Sequence, residues 1–222
     1  MLLSGSCELF GLEEAPDLSF VARDLETRLI TVVGRPAQAA VREAVLRNRN
    51  TGEVVCQFET SDHVATALPD WIASPATLHR LGDTPHFPDV PEGMVRLLSR
   101  SEVASLTGLP PNLKSGLETG VRRSPMAATI VDGSPVSFCY AGSATETLWD
   151  ISIDTLEDHR RRGYAALCVA HMVDHMRGQG EEPVWGAEES NLPSLRLAAH
   201  LGFVPADRVV VFQPAKKATG QA

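Results

Sequence analysis

Between Thr147 and Met176 the spacing of apolar residues changes, and that change limits what the chain can fold into. Thr147-Leu-Trp-Asp-Ile-Ser-Ile153 alternates apolar with polar, the period of a half-buried strand. From Tyr164 the spacing is helical: Leu167, Ala170, Val173 and Met176 share one face, which stops at Gly178. The joint between the two carries Arg160-Arg161-Arg162-Gly163. A strand passed directly to a helix in this way opens a β-α-β unit, and with it a sheet that needs helices to cover it.

The flanking segments fit such a sheet. Ala127–Val131 and Val136–Tyr140 bracket Asp132-Gly133-Ser134-Pro135, where Asp-Gly supplies the positive φ angles of a tight hairpin turn. Gly142-Ser143 reads as the next turn. Upstream, Met94–Leu98 is a strand, Ser99 or Ser101 opens a helix through Val103, Ala104 and Leu106, and Pro110-Pro111 precede a second helix around Leu113 to Leu117. Downstream come a strand at Val184–Ala187, a helix over Pro193 to His200 and a strand at Arg208–Phe212. The order β-α-α-β-β-β-α-β-α-β predicts an α/β protein (α+β, mixed sheet) with helices on both faces.

Residues 1–90 read as a smaller α/β module. Arg28–Val33 is a strand ending at Gly34, and a helix from Pro36 carries Val41, Ala44, Val45 and Asn48 on one face. Glu53–Phe58 is a second strand, and Ser61 and Asp62 are candidate caps for a helix through Leu68. The Pro-rich stretch from Gly82 to Gly93 reads as a linker, placing the second domain at 91–222. The first module is either a degenerate copy of the second or a gate for its substrate.

Bulk properties exclude several classes. A net charge of −8 argues against a nucleic-acid partner. Cys7, Cys56, Cys139 and Cys168 are scattered, which predicts reduced thiols rather than structural zinc or a disulfide framework. His171 and His175 lie four apart but lack a third ligand, so no metal is expected. Trp71, Trp149 and Trp185 read as core or cleft wall. No apolar run approaches the ~20 residues that cross a bilayer. The opening MLLSGSCELFGLEEAPDL lacks the basic start of a signal peptide, so the expectation is a cytoplasmic protein without a membrane partner.

The 154–165 segment carries the chemistry. A helix start presents unpaired N–H groups and the positive end of the macrodipole to an anion. Gly163 and the small Ala165 let a phosphate approach the main chain, and three arginines add fixed charge. Along the preceding strand, Glu146, Leu148, Asp150, Ser152 and Asp154 share one face, opposite Trp149, Ile151 and Ile153. Carboxylates in such a row are costly to bury dry, which predicts a wet cleft.

Arg160-x-x-Gly163-x-Ala165 resembles the R/Q-x-x-G-x-G/A signature of the GNAT acetyltransferase superfamily. Asn191-Leu-Pro-Ser194 through Leu201-Gly202-Phe203 resembles its second motif, an Asn opening a helix that Gly-Phe closes. The resemblance runs from about residue 94 to 213, and no P-loop or Rossmann signature competes with it. It implies a GNAT-type acyl-CoA N-acyltransferase fold with acetyl-CoA as co-substrate. Arg160, Arg161, Arg162, Gly163, Tyr164 and Ala165 would bind the pyrophosphate, with Ile151, Ile153, Thr155, Asn191 and Ser194 completing the cofactor contacts. The implied reaction is direct attack of an amine on the thioester in a ternary complex. Asp150 would be the general base, and a main-chain N–H within Ile151–Ile153 would hold the oxyanion. The acceptor would be a small-molecule amine or a peptide N-terminus, and a homodimer is compatible with the family.

One departure bears on activity. Many GNAT enzymes place a proton-donating tyrosine where this sequence has Ala198; Cys139, Tyr140, Ser194 and solvent are the substitutes open to it. The alternative reading is therefore a non-catalytic acyl-CoA sensor or scaffold. Aminoacyl transfer from tRNA on the same fold is disfavoured by the acidic balance.

Overall fold

The computed structural model describes residues 7–11 and 18–215; part of the opening segment read above for a signal peptide lies outside them. The chain forms two compact units. One comprises the residues up to Leu78 with Ala187–Asn191 and the stretch from Ala206 on; the other comprises His79–Gly186 and Leu192–Pro205.

The first unit begins with β1 (Cys7–Phe10), β2 (Phe20–Asp24) and β3 (Ile30–Val33), paired antiparallel in sequence order. Helix α1 (Gln38–Arg47) then leads to β4 (Val54–Gln57), which lies parallel to β3. Helix α2 (Ser61–Ala67) and β5 (Trp71–Leu81) follow. The apolar face expected of the first helix is the one buried: Ala40, Val41, Ala44 and Val45 pack with Val21, Ile30, Val32 and Val54. Residues 209–212 of the chain's last strand pair antiparallel with β4 and add Val210 and Phe212 to this core.

Two local expectations fail. Ser61 and Asp62 are not caps: the helix N-cap is Thr60, without a side-chain cap bond. Ser61 instead donates its hydroxyl to Phe58 O, and Asp62 pairs with Arg35. The sequence reading also did not include β1, β2 or β5, the last an 11-residue strand with Pro75 inside it.

The second unit holds β6 (Val95–Leu97), α3 (Arg100–Ser105), α4 (Pro111–Arg123), β7 (Met126–Val131), β8 (Ser134–Ala144), β9 (Leu148–Thr155), α5 (Tyr164–Arg177), β10 (Glu182–Glu188), α6 (Leu192–His200) and the start of β11 (Phe203–Pro214). This is the predicted order of elements. Within the unit the sheet runs β10-β9-β8-β7-β6, with β9 and β10 parallel and the other pairs antiparallel. Of the two serines proposed to open α3, Ser99 is the N-cap, in a reciprocal capping box with Glu102. Asp132 and Gly133 take positive φ (49° and 77°) in the predicted two-residue turn. The segment at 82–91 has no regular structure, but Gly82 N–H donates to Gly202 O, His86 N–H to Leu201 O, and Phe87 meets Phe203 edge-on.

The sheet's two faces differ in character. Toward α5 lie Ala127, Thr129, Ser137 and Cys139: the Cys168 thiol of α5 donates to Ala127 O and Ser137 O, and Thr129 Oγ1 donates to Tyr164 O. Phe138 and Tyr140 point the other way, into a cluster with Leu117 and Val121 of α4. Gly142-Ser143 is not the expected turn. The β8–β9 register shifts between Ala141 and Ala144, so these two residues bulge opposite Asp150, and the turn falls beyond them, closed by Thr145 N–H to Leu148 O. Among the described residues no helix is long and apolar enough to cross a membrane.

Helix α4 sits close to β8 because two glycines face Tyr140. A Cβ at Gly120 would lie 2.5 Å from the Tyr140 ring, whereas one at Gly116 would lie 3.6 Å from its hydroxyl, an ordinary contact. Gly120→Ala is therefore expected to destabilise the protein by about 1–3 kcal/mol, the usual cost of overpacking. Gly116→Ala should be neutral, or stabilising by about 0.5–1 kcal/mol through helix propensity. Urea unfolding of both variants checks the contrast, and equal midpoints would contradict the packing described.

Candidate active site

The site begins where β9 and β10 part. Their parallel ladder joins Leu148, Trp149 and Asp150 to Glu182, Pro183 and Val184 and stops there, although β9 continues to Thr155. Beyond Asp150 the β10-facing edge of residues 151–155, which include the expected Ile151, Ile153 and Thr155, leaves the ladder. Backbone polar groups need partners, so an opened parallel pair is suited to an extended ligand with amide groups of its own.

Asp150 stands at the vertex. Its Oδ1 accepts the Gly186 N–H at 3.3 Å, and a Cβ on bulged Gly142 would fall 3.2 Å from its Oδ2 and 2.7 Å from Ser152 Oγ. Burial pushes the Asp150 carboxyl up to about 6, with the Gly186 N–H pulling weakly the other way. A carboxylate tuned this close to neutrality has the proton affinity expected of a general base.

The alternation predicted for β9 is observed. Ser152 pairs across the sheet with Tyr140, and Asp154 with Phe138, on the α4 side. Burial raises the Tyr140 phenol to about 12, with Asp154 adding to the rise and a hydrogen bond with Ser152 opposing it. Asp154 is also raised by burial, against the pull of Arg160. Trp149 and Ile151 are buried on the α5 side.

At the far end of β9, five residues or about 16 Å beyond Asp150, lies the arginine loop. Arg161 and Gly163 both adopt left-handed backbone, φ 61° and 82°. Left-handed residues interleaved in a turn make a concavity of N–H groups that suits an anion. Gly163 is the N-cap of the 14-residue α5, which has no side-chain cap bond and no acidic residue in its first turn. A Cβ on Gly163 would meet nothing within 4 Å. The loop thus leaves room for a ligand, but the glycine is also required by its φ. Arg160 turns back to β9, its Nε donating to Thr155 O at 3.2 Å, while Arg161 and Arg162 are exposed.

The second motif divides. Ser194 lies in the second unit and accepts the Trp185 indole N–H at 3.0 Å. Asn191 belongs to the first unit, in the turn before α6, where its N–H donates to Glu188 O. Ala198 is fully buried. Of the residues that could replace the tyrosine, Cys139 is fully buried and its thiol is held far above its usual range by burial, which removes it as a proton donor. Gly142 and Gly186 were not singled out as site residues by the sequence reading, and Trp185, read as core or cleft wall, is the donor to Ser194. Their roles depend on what lies across the sheet or on a neighbouring helix, and only Gly142, beside a strand end, carried any local signal.

Residues 127–212 match the family model described as GNAT acetyltransferase. Among solved structures, a GCN5-related N-acetyltransferase-like protein from Streptococcus suis is similar over 96% of this chain and 90% of its own, at 18% identity and a TM-score of 0.69. A GCN5-related N-acetyltransferase from Kribbella flavida is similar over 90% of this chain and 88% of its own, at 16% identity and a TM-score of 0.59. A tandem GNAT protein from the clavulanic acid biosynthesis pathway is similar over 87% of this chain and 77% of its own, at 14% identity and a TM-score of 0.54. No curated protein sequence matches. The fold is thus the mixed α/β fold of the acetyltransferases. The C-terminal half of the chain is a GNAT-superfamily domain.

The Asp150 environment has a consequence for stability. Its folded pKa, about 6, lies above the ~3.9 of an unfolded aspartate, so the native state favours the protonated form. That stabilisation is complete below pH ~4 and is lost as pH rises through ~6. Asp150→Asn, permanently neutral, should therefore exceed wild type in stability by about 1–3 kcal/mol at neutral pH, with the gap closing toward pH ~4. Chemical denaturation of both proteins across this range measures the gap, and a gap independent of pH would contradict the burial assigned to Asp150.

Proposed function

We propose that the protein is an N-acetyltransferase that moves an acetyl group from acetyl-CoA to an amine, the acceptor being a small molecule or a peptide N-terminus. The observation that carries this reading is the pairing of an opened β9–β10 ladder with an uncapped, arginine-rich helix start at its far end. β9 runs five residues, about 16 Å, past its last ladder pair before the loop begins, a run that suits a ligand with a phosphate group at one end and a reactive group on a long arm.

The α5 N–H groups with Gly163, Tyr164 and Ala165 would hold the pyrophosphate, and Arg161 and Arg162 would supply charge. Arg160 braces the end of β9. The edge of Ile151–Thr155 would receive the amide-bearing arm, with Ser194 as a further contact. Acetyl-CoA supplies the activated acyl group. Asp150 removes the proton from the acceptor ammonium, and a main-chain N–H of Ile151–Ile153 faces the negative charge that develops on the acyl oxygen. Gly186 N–H and the Gly142 bulge hold Asp150 in place.

The buried Ala198 favours a second reading, an acyl-CoA-binding sensor without turnover. Two experiments separate the readings. Replacing Arg161 and Arg162 together by Ala should weaken acetyl-CoA binding tenfold or more, since charge-assisted contacts contribute about 1.5–3 kcal/mol each. Unchanged affinity in titration calorimetry would remove the site from this loop. Asp150→Asn should lower thiol release about 10²–10⁴-fold with CoA affinity unchanged, and the loss should shrink as rising pH neutralises the amine unaided. A wild-type protein that binds acetyl-CoA but releases no thiol with any of a broad amine panel would establish the sensor instead.

A further inference from the structure

Two stretches of the chain repeat one order of elements. β1-β2-β3-α1-β4-α2-β5 and β7-β8-β9-α5-β10-α6-β11 each consist of three antiparallel strands, a helix, a parallel strand, a second helix and a final strand. The parallel ladders match as well, three residue pairs in β3–β4 and three in β9–β10. The sequence carries no residue-level repeat, so the likeness lies in the topology. It makes the β3–α1 loop, Gly34 to Ala37, the counterpart of the β9–α5 loop, Leu156 to Gly163.

The two loops share a left-handed glycine and a helix start without a side-chain cap or a first-turn acid, but differ in length and in what surrounds the glycine and the arginine. β9 runs five residues past its last ladder pair, whereas β3 runs one, from Val32 to Val33. Each loop has a left-handed glycine, Gly34 at φ 64° and Gly163 at φ 82°. A Cβ on Gly163 would meet open space, but one on Gly34 would fall 2.3 Å from Ser19 Oγ. The Arg35 N–H donates to the same Ser19 hydroxyl at 3.0 Å, and Pro36 has no N–H to offer. The Arg35 guanidinium is a two-pronged donor to Asp62, at 2.9 and 3.2 Å, and reaches Glu59 O at 3.1 Å. Arg35 in turn draws the Asp62 carboxyl below its usual range. His63, next to Asp62, bonds Pro36 O at 2.6 Å.

We infer that the first unit is a closed copy of the same strand–loop–helix device, with Asp62 of α2 taking the place of an anionic ligand, and that the chain therefore binds a single CoA, at the α5 loop. The inference rests on the proposed acetyl-CoA site for its second clause only.

Calorimetry with CoA, combined with hydrogen exchange read by mass spectrometry, tests it on the full chain. Wild type should bind one equivalent, with protection at residues 156–168 and none at 34–41. Two equivalents, or protection at 34–41, would overturn the inference and leave the proposed function standing; no binding at all would remove that function and the single-site clause together. Inorganic phosphate tests the closed loop without CoA. Asp62→Asn and Asp62→Ser, which free Arg35, should show exchange at 34–41 slowed by phosphate, an effect absent from wild type. Two variants guard against one that misfolds. Folded variants without that slowing would overturn the assignment of Asp62.

Discussion

The parting of β9 and β10 after Asp150 is the constraint on which the rest of the second unit depends. Parallel strands normally satisfy one another along their whole length, and an interrupted ladder leaves donors and acceptors that must be met by something else. Here the interruption follows three residue pairs, and the Asp150 carboxylate itself takes up the first displaced donor, Gly186 N–H. The bulge at Gly142-Ser143 lies opposite the same residue on the other side of β9. Bulges bend a strand and increase its twist, so both neighbours of β9 are irregular at one point, and that point carries the acid.

The electrostatics divide along the strand. At one end Arg161 and Arg162 are exposed beside a helix start with no acid in its first turn, a concentration of positive charge. At the other, Asp150 is raised by burial to about 6, close to where a proton can be taken and returned. Tyr140 and Asp154 are raised by the same burial, and Asp154 is restrained by Arg160. Arg160 belongs to the loop, but its guanidinium serves the near end of the strand, at Thr155 O. The first unit, built on the same topology, has a short loop whose arginine is committed to Asp62.

Much of this was legible from residue order. The Asp132-Gly133 turn, a helix start at Ser99 or Ser101, the buried face of α1 and the alternation of β9 all follow from short-range rules, because each depends on residues within one turn or one strand. Strand β5 was not read from the sequence, and Ser61 looked like a cap because residue type was visible while its hydroxyl's partner, Phe58 O, was not. Gly142-Ser143 has the composition of a turn and is a bulge; only the register against β9 separates the two.

The sequence by itself determined the strand-to-helix switch at 153–164, the arginine loop and the acidic face of β9, since periodicity and local charge need no partner to be read. Tertiary structure alone decided that the ladder stops at Asp150, that Gly186 N–H bonds that carboxylate while Gly142 leaves it room, that Trp185 engages Ser194, and that β11 finishes in the core of the first unit. Each of these joins residues distant in the chain, or turns on where pairing ends. A strand's own sequence fixes which side chains share a face, whereas the point at which its neighbour departs is set by the packing of the whole sheet.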